Sequence, residues 1–232
     1  DATPVLTELM RTCPGFGGRQ EDAAEGLILL LDKMHPDVSR LFESVYRMDI
    51  YCDSCRDVMR PNVGQQAHNE TMIYVPIERN FVTIDTSGNP FEQFLAGHMS
   101  RLDAWPCPKC GVVSDENHAA MRIARLIKRP EILVVAFNKY DLKWRGPEYG
   151  QNIELKNASP ELGFRAAQMD GDGDSCRAKY SLTGVIRHYG GHESGHYNVV
   201  CRRPSGVWLF DDAVAGNADF RAEIGDYMLI YS

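Results

Sequence analysis

Three short runs near the C-terminal end decide the reading: Tyr180-Ser-Leu-Thr-Gly-Val-Ile-Arg-His188-Tyr-Gly190, Gly195-His196-Tyr197, and Trp208-Leu-Phe-Asp211-Asp212. β-Branched and aromatic residues separated by glycine-rich breaks predict strand, turn, strand, short turn, strand. A histidine at a strand start beside a flexible turn faces a cleft. An acid at the end of the neighbouring strand can fix its tautomer, and together they form the base-and-orienter half of a nucleophilic triad. A lone histidine is more often a surface or structural residue, so the pattern needs support from the rest of the chain.

Working outward, Met72 to Ile77, Met121 to Leu126, Ile132 to Phe137, Leu182 to His188, Tyr197 to Arg202, Val207 to Phe210 and Tyr227 to Tyr231 also read as strands. Upstream, Gln20 to Met34 predicts a helix with an acidic first turn and an apolar face of Ala24, Leu27, Ile28, Leu31 and Met34. A second helix is expected over Asp37 to Tyr46. A third is expected to open at Asn89-Pro90-Phe91-Glu92 and run to Leu102, with Asn as N-cap and Pro at the first helical position. Helices first and an antiparallel sheet afterwards make an α+β fold.

Between these elements lie Cys52-Asp-Ser-Cys55 and Cys107-Pro-Lys-Cys110. Two such knuckles supply the four thiolates of a closed tetrahedral zinc shell, which is structural because no position is left for water or substrate. The alternative is four unconnected buried cysteines. A separation of about 50 residues is too long for a minimal zinc ribbon and implies a long hairpin clipped by the metal. Seven cysteines, with Cys13, Cys176 and Cys201 as singles, are unlike a secreted disulfide framework, and metal-bound thiolates imply the cytoplasm or nucleus. The 232 residues carry 44% hydrophobic and 25% charged side chains, an ordinary globular balance. A net charge of -7 argues against nonspecific nucleic-acid binding, and no apolar run reaches the ~20 residues of a membrane span.

The three C-terminal runs, with the closing Asp226-Tyr-Met-Leu-Ile-Tyr231 strand, resemble the histidine box of ubiquitin-specific proteases. Gln20-Glu-Asp22-Ala-Ala-Glu25 resembles the glutamine-aspartate helix motif of that family, and the cysteine pairs resemble its zinc-bearing fingers. Pro130-Glu-Ile-Leu-Val-Val-Ala-Phe137 resembles a further strand, with Lys139-Tyr140 where a basic-aromatic pair usually stands. The resemblance runs in order from residue 19 to the end. It implies a papain-like fold with residues 1–46 as a remnant of a largely missing helical thumb, 47–125 as zinc-bearing fingers and 126–232 as the palm. It further implies a cysteine-type deubiquitinase acting on ubiquitin or ubiquitinated proteins. His196 would be general base, Asp211 its orienter and Asp212 an assisting acid. Asp22 would meet the basic tail of ubiquitin, and Gly195 and Tyr197 would border its channel. The polar segments 188–195 and 139–152 resemble mobile loops beside that channel.

The glycine-asparagine-x-cysteine box that holds the family's nucleophile has no match. Cys13, in Thr12-Cys-Pro-Gly-Phe-Gly17, is a poor substitute because its glycines would not continue the helix that lowers a thiol's pKa. The expectation is a nucleophile from a preceding segment that is truncated, split off or lost. A non-catalytic ubiquitin-binding module of the same fold is the main rival, and a zinc-dependent domain unrelated to ubiquitin a weaker one. Asp170-Gly-Asp-Gly-Asp174 suggests a calcium loop, but Ser175 and Ser181 stand where an EF-hand needs Gly and Glu. A solvated insertion is expected there.

Overall fold

Asp22 ends the extended entry to a helix by turning its own side chain onto the backbone. In the computed structural model, which describes residues 3–12, 22–59, 67–76, 83–85, 95, 97–138, 154–156, 161–164, 178–190, 194–221 and 226–232, it is the N-cap of a helix. Helix α1 spans Thr3–Thr12, α2 spans Ala23–Lys33 and α3 spans Pro36–Ser39, followed by a 3-10 turn at Arg40–Phe42. Asp22 Oδ1 accepts from the amides of Ala24 (2.8 Å) and Glu25 (3.0 Å), satisfying two of the donors that a helix start leaves open. The buried face of α2 is narrower than expected: Ala24 and Leu31 are buried, whereas Ile28 and Met34 are exposed.

The first sheet uses β1 (Ser44–Cys52), β2 (Asp57–Met59), β3 (Ala67–Glu70), β6 (Gly97–Leu102) and β7 (Ala120–Lys128). Strand β1 lies beside β7 along its whole length, from Val45 opposite Lys128 to Cys52 opposite Ala120. β3 and β2 share its other edge, and β6 covers the far side of β7. Mid-strand, Asp49 is fully buried; Arg125 donates to one of its oxygens and Arg47 Nε stands 3.5 Å from the other.

The second sheet adds β4 (Ile73–Pro76), β8 (Leu133–Asn138), β10 (Glu161–Phe164), β11 (Ala178–Gly190), β12 (Gly195–Arg203), β13 (Gly206–Asp211), β14 (Val214–Asn217) and β15 (Asp226–Tyr231). Its order is β14-β13-β12-β11-β15-β8-β4, with β10 also on β11. All pairings are antiparallel except β4 with β8. A separate pair joins β5 (Thr83–Asp85) to β9 (Glu154–Lys156). β8 is buried on both faces, which explains its unbroken apolar run. Leu133, Val135 and Phe137 enter one core with Tyr46, Leu126, Leu229 and Tyr231. Val134 and Ala136 enter another with Ala24, Met72 and Tyr227. The first core thus roots the smaller sheet on the larger, and the second docks α2.

Two helix expectations are corrected. Over 37–46 the helix stops at Ser39, and Ser44-Val-Tyr-Arg opens β1 because Tyr46, fully buried opposite Leu126, packs in the inter-sheet core. Pairing with β7 overrides a local helical signal. The helix expected to reach Leu102 yields to β6: Leu95 is helical, but Gly97–Leu102 is a strand on β7. A Cβ at Gly97 would lie 2.6 Å from the Ala124 carbonyl oxygen, so only glycine permits that approach. β4, which falls within the range 47–125, joins the larger sheet. The expected starts at Gln20 and Asn89, Cys13, Cys176, the loop 139–152 and the Asp170–Asp174 loop lie outside the described residues.

Candidate active site and metal centre

His196 is the second residue of β12, opposite Tyr189 on β11, and Asp211 closes β13. The strand pair β12–β13 carries both to one end of the sheet, and His196 Nε2 is hydrogen-bonded to Asp211 Oδ1. Consecutive residues of a strand point to opposite faces. Asp212 escapes that rule because its backbone is left-handed (φ 49°), a conformation that aspartate tolerates better than most residues. Its carboxylate therefore joins the same site: the donor atoms of His196, Asp211 and Asp212 all lie within 4.8 Å of one another. With Nε2 committed to Asp211, Nδ1 is left as the ring nitrogen for a nucleophile.

The hydrogen bond from Asp211, then the charges of Asp211 and Asp212, raise the His196 pKa above its ordinary value against a small opposing effect of burial. Protonation is favoured in the folded state, so this interaction stabilises the fold at low pH and its contribution fades as pH rises through the raised pKa. Asp211→Asn is expected to move the His196 pKa downward, read from the imidazole proton shifts in an NMR titration. An unchanged midpoint would show that the contact does not govern the imidazole.

The turn before β12 requires glycine. A Cβ at Gly195 would overlap the His188 ring and lie 2.6 Å from Tyr189 O, and one at Gly190 (φ 126°) would lie 2.6 Å from Gly195 Cα. Tyr197 stacks on His188 with ring centroids 4.4 Å apart, and Tyr227 stands 6.1 Å from Tyr197. Tyr227 donates to Asp22 Oδ2 at 2.6 Å. The structure thus joins Asp22, Tyr197 and Gly195 to the neighbourhood of His196 through Tyr227 and His188. Sequence reasoning assigned those two no role; the aromatic residue of the closing strand was the available signal.

At the far end of the smaller sheet, Cys52 closes β1, and Cys55 lies in the turn before β2. Cys107 and Cys110 sit in a second turn, closed by the Pro106–Val113 bridge. Each knuckle ends in a left-handed residue, Arg56 (φ 53°) and Gly111 (φ 74°). Cys52 Sγ lies 3.8 Å from Cys110 Sγ and Cys55 Sγ 3.9 Å from Cys107 Sγ, and all four sulfurs lie within 4.8 Å. A tetrahedron with metal–sulfur bonds of ~2.3 Å has edges of about 3.8 Å, so the donor set fits a tetrahedral ion. Backbone N–H groups of Cys110 and Lys109 bring the Cys107 thiol down to about 7, which prepares a thiolate ligand. An ion pair between Lys109 and Asp57 ties the knuckles together. Among the described residues the remaining cysteine is Cys201, in mid-strand opposite Trp208.

Comparison with known proteins agrees with this geometry. The sequence profile of the family described as ubiquitin carboxyl-terminal hydrolase matches residues 3–231. A probable ubiquitin carboxyl-terminal hydrolase 16 of Schizosaccharomyces pombe is 26% identical over 224 residues, covering 86% of this chain and 44% of that protein. Ubiquitin carboxyl-terminal hydrolase 23 of Arabidopsis thaliana is 23% identical over 211 residues, covering 82% of this chain and 22% of that protein. Among solved structures, the SAGA Ubp8/Sgf11/Sus1/Sgf73 DUB module bound to ubiquitin aldehyde matches with a TM-score of 0.69 at 18% identity, over 98% of this chain and 52% of that one. The same module bound to monoubiquitin gives a TM-score of 0.71 at 17% identity, with the same coverage. The chain belongs to the ubiquitin carboxyl-terminal hydrolase family. It spans about half the length, or less, of the relatives it matches. The family match sets aside a zinc domain unrelated to ubiquitin, and no helix among the described residues is long and apolar enough to cross a membrane.

Proposed function

We propose that this chain is the greater part of a thiol deubiquitinase domain that hydrolyses the isopeptide bond after the glycine end of ubiquitin. The observation that carries this reading is the convergence of His196 Nε2 with Asp211, flanked by Asp212, at the mouth of a glycine-lined turn. Asp211 orients the imidazole and stabilises it when protonated. His196 takes the thiol proton through Nδ1 and returns it to the leaving lysine amine, which is general base followed by general acid. Asp212 adds negative charge that favours the imidazolium. The nucleophile is a cysteine of the family's glycine-asparagine-x-cysteine box, supplied from outside these 232 residues; Cys201, five positions along the strand from His196, points to the opposite face.

Residues 1–46 serve as thumb, 47–125 as fingers and 126–232 as palm, apart from β4, which strengthens the palm sheet. Cys52, Cys55, Cys107 and Cys110 hold a structural zinc ion, and its thiolate shell places the protein in the reducing cytoplasm or nucleus. Asp22 meets a basic side chain of the ubiquitin tail, while Gly195 and Tyr197 line the channel through which that tail passes. Ubiquitin and ubiquitinated proteins are the partners; neither nucleic acid nor membrane is one.

Immobilised ubiquitin tests the reading. The chain is expected to be retained, and Asp22→Asn to weaken retention about tenfold, the cost of one charge-assisted contact. No retention of the wild-type chain would overturn the reading.

A further inference from the structure

Strand β15 carries an irregularity at the place where it passes α2. Along most of β11, Val185 faces Leu229 and Ile186 faces Met228, but the next partner of Arg187 is Asp226. Tyr227 is the residue skipped over, the extra member of a β-bulge. Strict alternation would put Tyr227 with Leu229 and Tyr231 in the core between the sheets; instead it packs with Met228, Ala24 and Met72 on the α2 face. Bulges re-aim single side chains, often beside functional sites. The strand end is held in this setting by the buried pair Arg187–Asp226, with Arg187 Nε 2.9 Å from Asp226 Oδ1.

The re-aimed hydroxyl reaches one target, Asp22 Oδ2 at 2.6 Å. Asp22 Oδ1 is already engaged by the amides of Ala24 and Glu25. Each carboxylate oxygen therefore has its own partner, one on the helix and one on the sheet. A carboxylate held at both oxygens keeps a single rotamer and still has lone pairs for an incoming cation. The tyrosine ring also lies 6.1 Å from that of Tyr197, the residue after His196, and 6.4 Å from that of His188. One side chain thus touches both the helix that bears the acid and the strand pair that bears the imidazole.

We infer that Tyr227 is a positioning residue: the bulge aims its hydroxyl at Asp22 and pre-orients that carboxylate for a basic side chain of the ligand. The geometric half of this inference is independent of the ligand; the binding half rests on the ubiquitin reading above. Pre-orientation gains affinity by removing an ordering cost rather than by adding a contact.

Tyr227→Phe keeps the ring and its stacking and removes only the hydroxyl. Hydrogen exchange of the Ala24 and Glu25 amides is expected to quicken about tenfold, while exchange in β11, β12 and β15 stays constant. Ubiquitin affinity of the same variant is expected to fall about tenfold in the wild-type background and not at all in Asp22→Asn, because the hydroxyl acts through the carboxylate. Unchanged amide exchange, or a uniform rise across the sheet, would overturn the inference, and so would additive effects of the two substitutions on binding. If the wild-type chain binds no ubiquitin, the functional reading and the binding half fall together. The amide measurement then decides the Asp22–Tyr227 tie by itself.

Discussion

A fluorogenic ubiquitin substrate is expected to stay intact when mixed with the 232-residue chain, and to be turned over once a segment carrying the cysteine box is joined to it. An imidazole and a carboxylate cannot form an acyl-enzyme, and losing one member of a catalytic group that works as a unit costs orders of magnitude in rate. In the completed protein His196→Ala should lower kcat/KM by about 10⁴-fold, since no other group stands where Nδ1 takes the thiol proton. Asp211→Asn should cost less, because the imidazole survives with its orientation and charge stabilisation weakened. A ubiquitin electrophile should leave Cys13 unlabelled in the chain alone. Robust cleavage by the chain alone, abolished by Cys13→Ala, would show that the nucleophile has been misplaced.

The second large effect concerns the metal. One zinc per chain is expected from protein purified without chelator, lost on Cys107→Ser and retained on Cys201→Ser. A structural zinc site is worth about 10 kcal/mol or more. A typical domain has only about 5–15 kcal/mol of stability in total. Stripping the ion should therefore unfold the knuckle end of the smaller sheet outright. The large sheet, whose cores lie elsewhere, should keep its protection against amide exchange. Zinc-free protein with four reduced thiols and a rigid β1–β2 turn would sink the assignment.

The part of the fold legible from residues alone is the part whose signals are local. The run from Tyr180 to Asp212 alternates strand and turn residues strongly enough to be read directly, as do the two cysteine knuckles. Ser44 to Cys52 was not legible as a strand from its first residue, because only the partner Leu126 makes Tyr46 a core position. Gly97 carried a readable warning, since glycine commonly marks a helix end, and its close approach to Ala124 O explains why it is there. The parallel β4–β8 pairing depends on a long-range crossover that no window of sequence displays. At the site, His196 and its two acids were found from order and spacing. Tyr227 was not, because a bulge that shifts one side chain across the sheet leaves no mark in the sequence period.

The paired strands β1 and β7 form a lever. Nine residues of β1 separate the palm core from the cysteine knuckles, a reach of about 30 Å at the usual rise. A swing of about 5° at the root would carry the tip through about 2.5 Å over that reach, enough to break any surface match made there. Angular stiffness at the root therefore matters more to the tip than anything at the tip itself. Tyr46 and Leu126 act as the fixed end of this cantilever, and Asp49, clasped between Arg47 and Arg125, braces its span. Slackening Tyr46 would alter where the knuckles point without touching a single thiolate.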